Sequence, residues 1–185
     1  MPIREQAYYI YNNSPLVELS NKILAEPPAT KSATTNSTDR VNERIGETAF
    51  ITANDPLGQD CFKDIWKFVT DANHQSGWNF DIDSCEPFQF TKYDVNQKYD
   101  WHIDTIFNQD NTRKISFTLL LNDDFEGGDF QFEIGSPDQD HRITTVKLGK
   151  GDILFFPSDL WHRVMPVTKG TRYSLVGWCR GPHFR

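Results

Sequence analysis

Apolar positions along the chain change their spacing twice, dividing it into segments of different texture. Leu16, Leu19 and Ile23 recur at helical spacing behind Ser14-Pro15. Serine suits the cap of such a segment and proline its first turn, so a short helix is predicted that stops by Pro27-Pro28. The span from Ala29 to Glu47 is rich in Thr, Ser, Asn and charge and poor in apolar residues. It reads as a mobile loop, and a loop of that length is a candidate lid. Phe62, Ile65, Trp66 and Val69 then fall at i, i+3, i+4 and i+7. That stripe predicts a helix over Asp60 to Asn73, packed on a sheet, with Gly77 beyond its end. From Pro87 onward the period is two. Phe130, Phe132 and Ile134 alternate with Asp129, Gln131 and Glu133 behind a Gly127-Gly128 turn. Ile115 to Leu121 and Ile153 to Phe156 are nearly continuous apolar runs, as expected of strands buried on both faces.

These patterns predict a mainly β fold with N-terminal helices. Turn signals recur from Asn122-Asp123 to Lys169-Gly170. They leave room between Pro87 and Gly181 for about eight strands, typical of an antiparallel sandwich or jelly roll. One domain is expected. Residues 1–85 would form a helical and loop support region, with the mobile segment at about 29–47, and residues 86–185 the β core.

Composition narrows the function. Lys plus Arg number 19 and Asp plus Glu 26, a formal net charge of −7. A nucleic-acid wrapper or a binder of anionic membranes needs a positive field, so neither partner is expected. There is no apolar run long enough for a transmembrane helix, and the first residues lack the apolar region of a signal peptide; the expectation is a cytoplasmic protein. Cys61, Cys85 and Cys179 show no CxxC spacing. They predict reduced thiols without a zinc or disulfide framework, Cys179 being a buried thiol. No Walker A sequence and no G-x-S-x-G elbow is present.

Candidate chemistry starts at His102-Ile103-Asp104. Residues i and i+2 of a strand share a face, so imidazole and carboxylate can converge on one point. The segment from His162 to Ser174 reads as strand, turn, strand. With the turn centred on Lys169, Arg172 would face Pro166, Ser174 would face Val164 and Val176 would face His162. His162, Arg172, Ser174 and Trp178 would then share one face. Two histidines and one carboxylate on one metal leave coordination positions open, an arrangement suited to Fe(II) in oxygenases. Arg172 could hold the far carboxylate of a 2-oxo diacid whose near end sits on that metal.

The ordered set Tyr93-x-x-Asn96-x-x-Tyr99-x-x-His102-x-Asp104, Glu126-Gly127-Gly128, Gly151-Asp152, Phe156-Pro157-Ser158 and His162-Arg163-Val164-x-Pro166-Val167-x-x-Gly170-x-Arg172-x-Ser174 resembles the Fe(II)/2-oxoglutarate dioxygenases of the prolyl 4-hydroxylase type. It is especially similar to the PKHD-type hydroxylases. The resemblance covers about Pro87 to Gly181. It implies a double-stranded β-helix (a cupin-like jelly roll), iron on His102, Asp104 and His162, and 2-oxoglutarate anchored by Arg172. It further implies that Tyr93 and Ser174 assist the cosubstrate and that Trp178 lies near the substrate. Asn96 stands where the family usually has Gly, and Asn tolerates left-handed backbone better than most residues. The implied reaction is hydroxylation of an unactivated C–H bond, leading with a peptidyl proline. It consumes O2, converts 2-oxoglutarate to succinate and has ascorbate as reductant. Hydroxylation of a free amino acid or other small metabolite is the enzymatic alternative. A cupin-like binding module without turnover is the non-enzymatic one.

Overall fold

The computed structural model describes residues 6–12, 16–35, 44–105, 111–136 and 140–183. Two helices occur among them, α1 (Leu16–Ala25) and α2 (Pro56–Gln75). The proposed cap of α1, Ser14-Pro15, lies outside the described residues. Helix α2 starts earlier than its apolar stripe predicts because Asp55 caps it: the Asp55 carboxylate accepts from the Gly58 amide at 2.7 Å, and Pro56 occupies the first turn. It ends at Ser76, followed by Gly77 at φ 72°. The buried stripe is Cys61, Ile65, Val69 and Ala72. It is rotated from the predicted one, so that Trp66 remains 39% exposed. No described helix is long and apolar enough to cross a membrane.

The strands are β1 (Tyr9–Tyr11), β2 (Lys31–Thr35), β3 (Arg44–Ile51), β4 (Ser84–Cys85), β5 (Phe88–Tyr93), β6 (Lys98–His102) and β7 (Asn111–Leu120). After these come β8 (Glu126–Gly127), β9 (Phe130–Glu133), β10 (Ile143–Val146), β11 (Ile153–Pro157), β12 (His162–Val164), β13 (Val167–Lys169) and β14 (Arg172–Pro182). The main sheet runs β1-β11-β7-β14-β5-β3-β6-β12-β9-β10, with β2 added to β3 and β4 to β14. Its strand pairs are antiparallel, and β8 and β13 form a separate pair. The sheet curls into a jelly roll. Ile115, Phe117, Leu119, Leu175 and Phe88 pack in one cluster with α1 and α2. Phe130, Phe132, Phe156, Val164 and Tyr93 form a second cluster.

Three expectations need correction. The segment 29–47 is not simply a loop. Lys31–Thr35 and Arg44–Ile51 pair as a hairpin, and β3 also pairs with β5 and β6; residues 36–43 lie outside the described residues. Its polar composition hid the strands, because hydrogen-bonding partners distant in sequence supply what local hydrophobicity does not. The C-terminal strands do not form the predicted hairpin either. Strand β12 pairs with β6 and β9, whereas β14 pairs with β5 and β7. After Gly170 the chain crosses to the other side of the roll, as a jelly roll requires and a local turn rule does not foresee. Finally, Cys85 and Cys179 are joined as a disulfide, with Cα atoms 4.1 Å apart, and only Cys61 is a free thiol. The two cysteines stand directly opposite each other where β4 pairs with β14, a register that cysteine spacing cannot disclose.

Candidate active site

His102 ends β6 and His162 begins β12, and the antiparallel register sets them directly opposite each other. Their rings lie 4.1 Å apart between centroids. Asp104 follows two residues beyond the end of β6. Its backbone amide and that of Thr105 donate to the Ser158 carbonyl at 2.8 and 3.0 Å. The Ser158 hydroxyl is in turn 2.9 Å from that of Ser116 on β7. This clamp brings the Asp104 carboxylate within 3.7 Å of His102 Nε2 and 3.5 Å of His162 Nε2. One donor atom from each residue lies within 4.8 Å of the others, and all three residues are buried.

The tautomers suit metal binding. His102 Nδ1 is 2.7 Å from the Asp100 carbonyl and His162 Nδ1 is 2.8 Å from the Leu160 carbonyl. A carbonyl only accepts, so each Nδ1 carries a proton, which leaves Nε2 as the nitrogen turned toward the shared point. Burial first, and the neighbouring His162 second, push His102 down to about 3, so its ring is neutral at ordinary pH. Burial alone would raise Asp104, but His162 and then His102 outweigh it and hold the carboxyl below its usual range. Neutral imidazoles and a carboxylate are the donors a moderately hard divalent ion prefers. Aromatic rings fix the two imidazoles: Tyr99 stacks on His102 at 3.6 Å, and Phe156 meets His162 edge-on at 4.6 Å.

The opposite wall comes from β14 and β5. Arg172 pairs with Tyr93, and Ser174 with Thr91. Arg172 is only 2% exposed and donates from Nη1 to Ser174 Oγ at 2.9 Å. Gly128 explains how the arginine stem fits: a Cβ there would lie 2.9 Å from Arg172 Cδ. Burial lowers the guanidinium to about 10, which leaves it charged at neutral pH. Burial raises the Tyr93 hydroxyl, so it remains a neutral phenol. Trp178 closes one side of the cavity and carries the Arg113 guanidinium 4.0 Å above its ring. Arg113 is itself held by Glu86 at 2.6 and 2.8 Å.

All seven residues singled out from the sequence line one cavity. Sequence reasoning missed Arg44, Gln89 and Thr91 in its wall, and gave Tyr99, a member of the recognised motif, no role. Gln89 and Thr91 were within reach, since they precede Tyr93 by four and two positions on one strand face. Arg44 was not, because its strand was read as loop. Asn96 does adopt the left-handed turn in place of glycine, at φ 67°. His74, His141 and His183 are exposed and lie outside the cavity lining.

Comparison with known proteins agrees with this geometry. The family model of the 2OG-Fe(II) oxygenase superfamily matches residues 88–180. A PKHD-type hydroxylase of Idiomarina loihiensis is 39% identical over 100 residues, covering 51% of this chain and 44% of the relative. A PKHD-type hydroxylase of Gloeothece citriformis is 41% identical over 93 residues, covering 48% of this chain and 40% of the relative. The chain thus spans less than half the length of these curated relatives. Among solved structures, a Pseudomonas putida prolyl-4-hydroxylase superposes with a TM-score of 0.71 at 21% identity, covering 96% of this chain and 94% of that one. A Trichoplax adhaerens prolyl hydroxylase, in complex with a hypoxia inducible factor oxygen degradation domain peptide fragment, gives a TM-score of 0.69 at 20% identity over 94% of this chain and 83% of that one. These structural likenesses establish the jelly-roll fold, and with half of its residues matched by the family model, the chain belongs to the 2OG-Fe(II) oxygenase superfamily.

Proposed function

We propose that this chain is an Fe(II)- and 2-oxoglutarate-dependent dioxygenase that hydroxylates an unactivated C–H bond, a peptidyl proline being the leading substrate. The observation that carries the reading is the convergence of His102, Asp104 and His162 in the same cavity as buried Arg172. Those three residues would hold the iron, which when bound supplies O2 activation coupled to decarboxylation of 2-oxoglutarate to succinate, with ascorbate keeping it ferrous. Arg172 and Ser174 would bind the distal carboxylate of the cosubstrate. The pairing is favourable because the guanidinium is already dry and oriented, and among the described residues no carboxylate forms an ion pair with it. The Tyr93 phenol, opposite Arg172 in the register, would donate to the same ligand. Tyr99, Phe130 and Phe156 exclude water around the imidazoles. Trp178 would meet the substrate. The likeness to the Trichoplax adhaerens prolyl hydroxylase, which is in complex with a peptide fragment, supports a peptide.

Purified protein supplied with Fe(II), 2-oxoglutarate and ascorbate is expected to release succinate and to stop on addition of a chelator. His102→Ala or Asp104→Ala should lower that release by roughly a thousandfold, the scale set by groups that act as one unit. Succinate release indifferent to both substitutions would end the iron assignment. Mass spectrometry of proteome peptides should then find one added oxygen on proline; oxygen found only on free amino acids would favour the metabolite reading instead.

A further inference from the structure

A second guanidinium faces the cavity, and the chemistry assigned so far leaves it without a role. Arg44 opens β3 and lines the space together with Gln89, Tyr93, Tyr99 and the three candidate metal ligands. Its Cα is held opposite that of Tyr99 by the β3–β6 pairing. Its Cζ lies 5.0 Å from the Tyr99 ring centroid, and Tyr99 stacks on His102 at 3.6 Å, so the cation sits one aromatic ring away from the metal position. Gly46 permits this approach. A Cβ at residue 46 would lie 2.5 Å from Tyr93 Cε1, so any side chain there would push β3 away from the cavity.

Arg44 makes a side-chain hydrogen bond with the Tyr93 hydroxyl, and the rest of its hydrogen bonding is incomplete. Nη1 reaches Gln89 Oε1 at 3.4 Å, long for an N–H···O contact. Gln89 is itself oriented by donating to Thr91 Oγ1 at 3.1 Å. Nε is buried and has no acceptor among the described residues. A planar fork of donors lining the cavity, with an unpaired donor and one aromatic ring between it and His102, matches a carboxylate. Arg172 already answers for the cosubstrate, and it belongs to a different strand, β14, with Tyr93 of β5 standing between the two cations.

We propose that Arg44 determines specificity by receiving a carboxylate of the substrate, thereby placing the carbon to be oxidised beside the metal. The inference rests on the reaction proposed above and adds the chemical class of the substrate, a carboxylic acid. That carboxylate can belong to a free amino acid, to the C-terminus of a peptide or to an acidic neighbour in a peptide.

The test uses the full chain loaded with Fe(II) and 2-oxoglutarate without oxygen, titrated calorimetrically with matched acid and amide pairs. The pairs are L-proline and L-prolinamide, N-acetyl-L-proline and its amide, and two proline-containing peptides differing by Glu or Gln beside the proline. At least one acid should bind ~tenfold or more tightly than its amide, as a bidentate charged contact implies. The responding pair identifies the source of the carboxylate. Arg44→Met should bring that ratio to about one, and Arg44→Lys should retain part of it. The ratio is taken within each variant, so a general loss of binding does not imitate the result. No acid outbinding its amide, an unchanged ratio in Arg44→Met, or weakening of 2-oxoglutarate by Arg44→Met as large as that by Arg172→Ala would each overturn the inference. Succinate release by the parent protein is read separately, so these failures leave the reaction assignment standing, and absent succinate release would remove the reaction instead.

Discussion

The two faces of β14 are equally dry and chemically opposite. Leu175 is 0% exposed and Cys179 0%, and both sit in the cluster backed by the helices. Arg172 and Ser174 are 2% and 1% exposed, yet they line the cavity with Val176 and Trp178. Burial alone therefore does not tell core from site. On the apolar face each side chain gains by leaving water. On the other face a buried guanidinium keeps, among the described residues, a hydrogen bond to Ser174, so under the proposed function its other donors would serve the cosubstrate rather than the fold. One face should respond to mutation in stability and the other in binding.

The largest separation is expected at the disulfide. Cys85 and Cys179 are 94 residues apart in sequence, so removing the bridge with Cys179→Ala should cost ~4 kcal/mol by loop-closure entropy. Chemical denaturation with and without reductant measures it; a parent protein whose midpoint ignores reductant would show that the bridge contributes nothing. Leu175→Ala comes next. It opens a cavity between Leu119 and Phe90, its partners in register, and should lower unfolding free energy by ~3 kcal/mol with little effect on the KM for 2-oxoglutarate. Arg172→Ala reverses that pattern. Losing hydrogen bonds to a charged group should weaken 2-oxoglutarate by ~2 kcal/mol, about thirtyfold, while the unfolding midpoint moves little. Unchanged affinity in an anaerobic titration would mean that the cosubstrate is anchored elsewhere. The smallest effect belongs to Ser174→Ala, about 1 kcal/mol in cosubstrate affinity through the contact to Arg172 Nη1. An effect on stability equal to that of Leu175→Ala would erase the distinction between the faces.

Most of the site was legible because its residues obey local rules. The i, i+2 spacing of His102 and Asp104 places both near one point, and the same parity sends Arg172, Ser174, Val176 and Trp178 to one face of β14. Parity survives even where pairing was wrongly inferred: β14 pairs with β5 and β7 rather than folding back on β12, but the face of each residue was unchanged. Arg44 shows the limit of this reasoning. Its neighbourhood carries no apolar alternation, and its strand exists because β5 and β6 offer it backbone partners. The same holds for the disulfide, which depends on two short stretches meeting in one register.

By itself the sequence determined the two helices, the β character of the chain beyond Pro87, the face each of those strand residues presents, and the types of donor the proposed metal and diacid would meet. These depend on spacing within a few residues, where backbone geometry has fixed periods. Only the tertiary structure decided which strands lie side by side, and hence that Cys85 meets Cys179 and that Arg44 joins the cavity. Such meetings depend on contacts between residues far apart in the chain, set by how the whole sheet curls and buries its faces, and no local pattern encodes them.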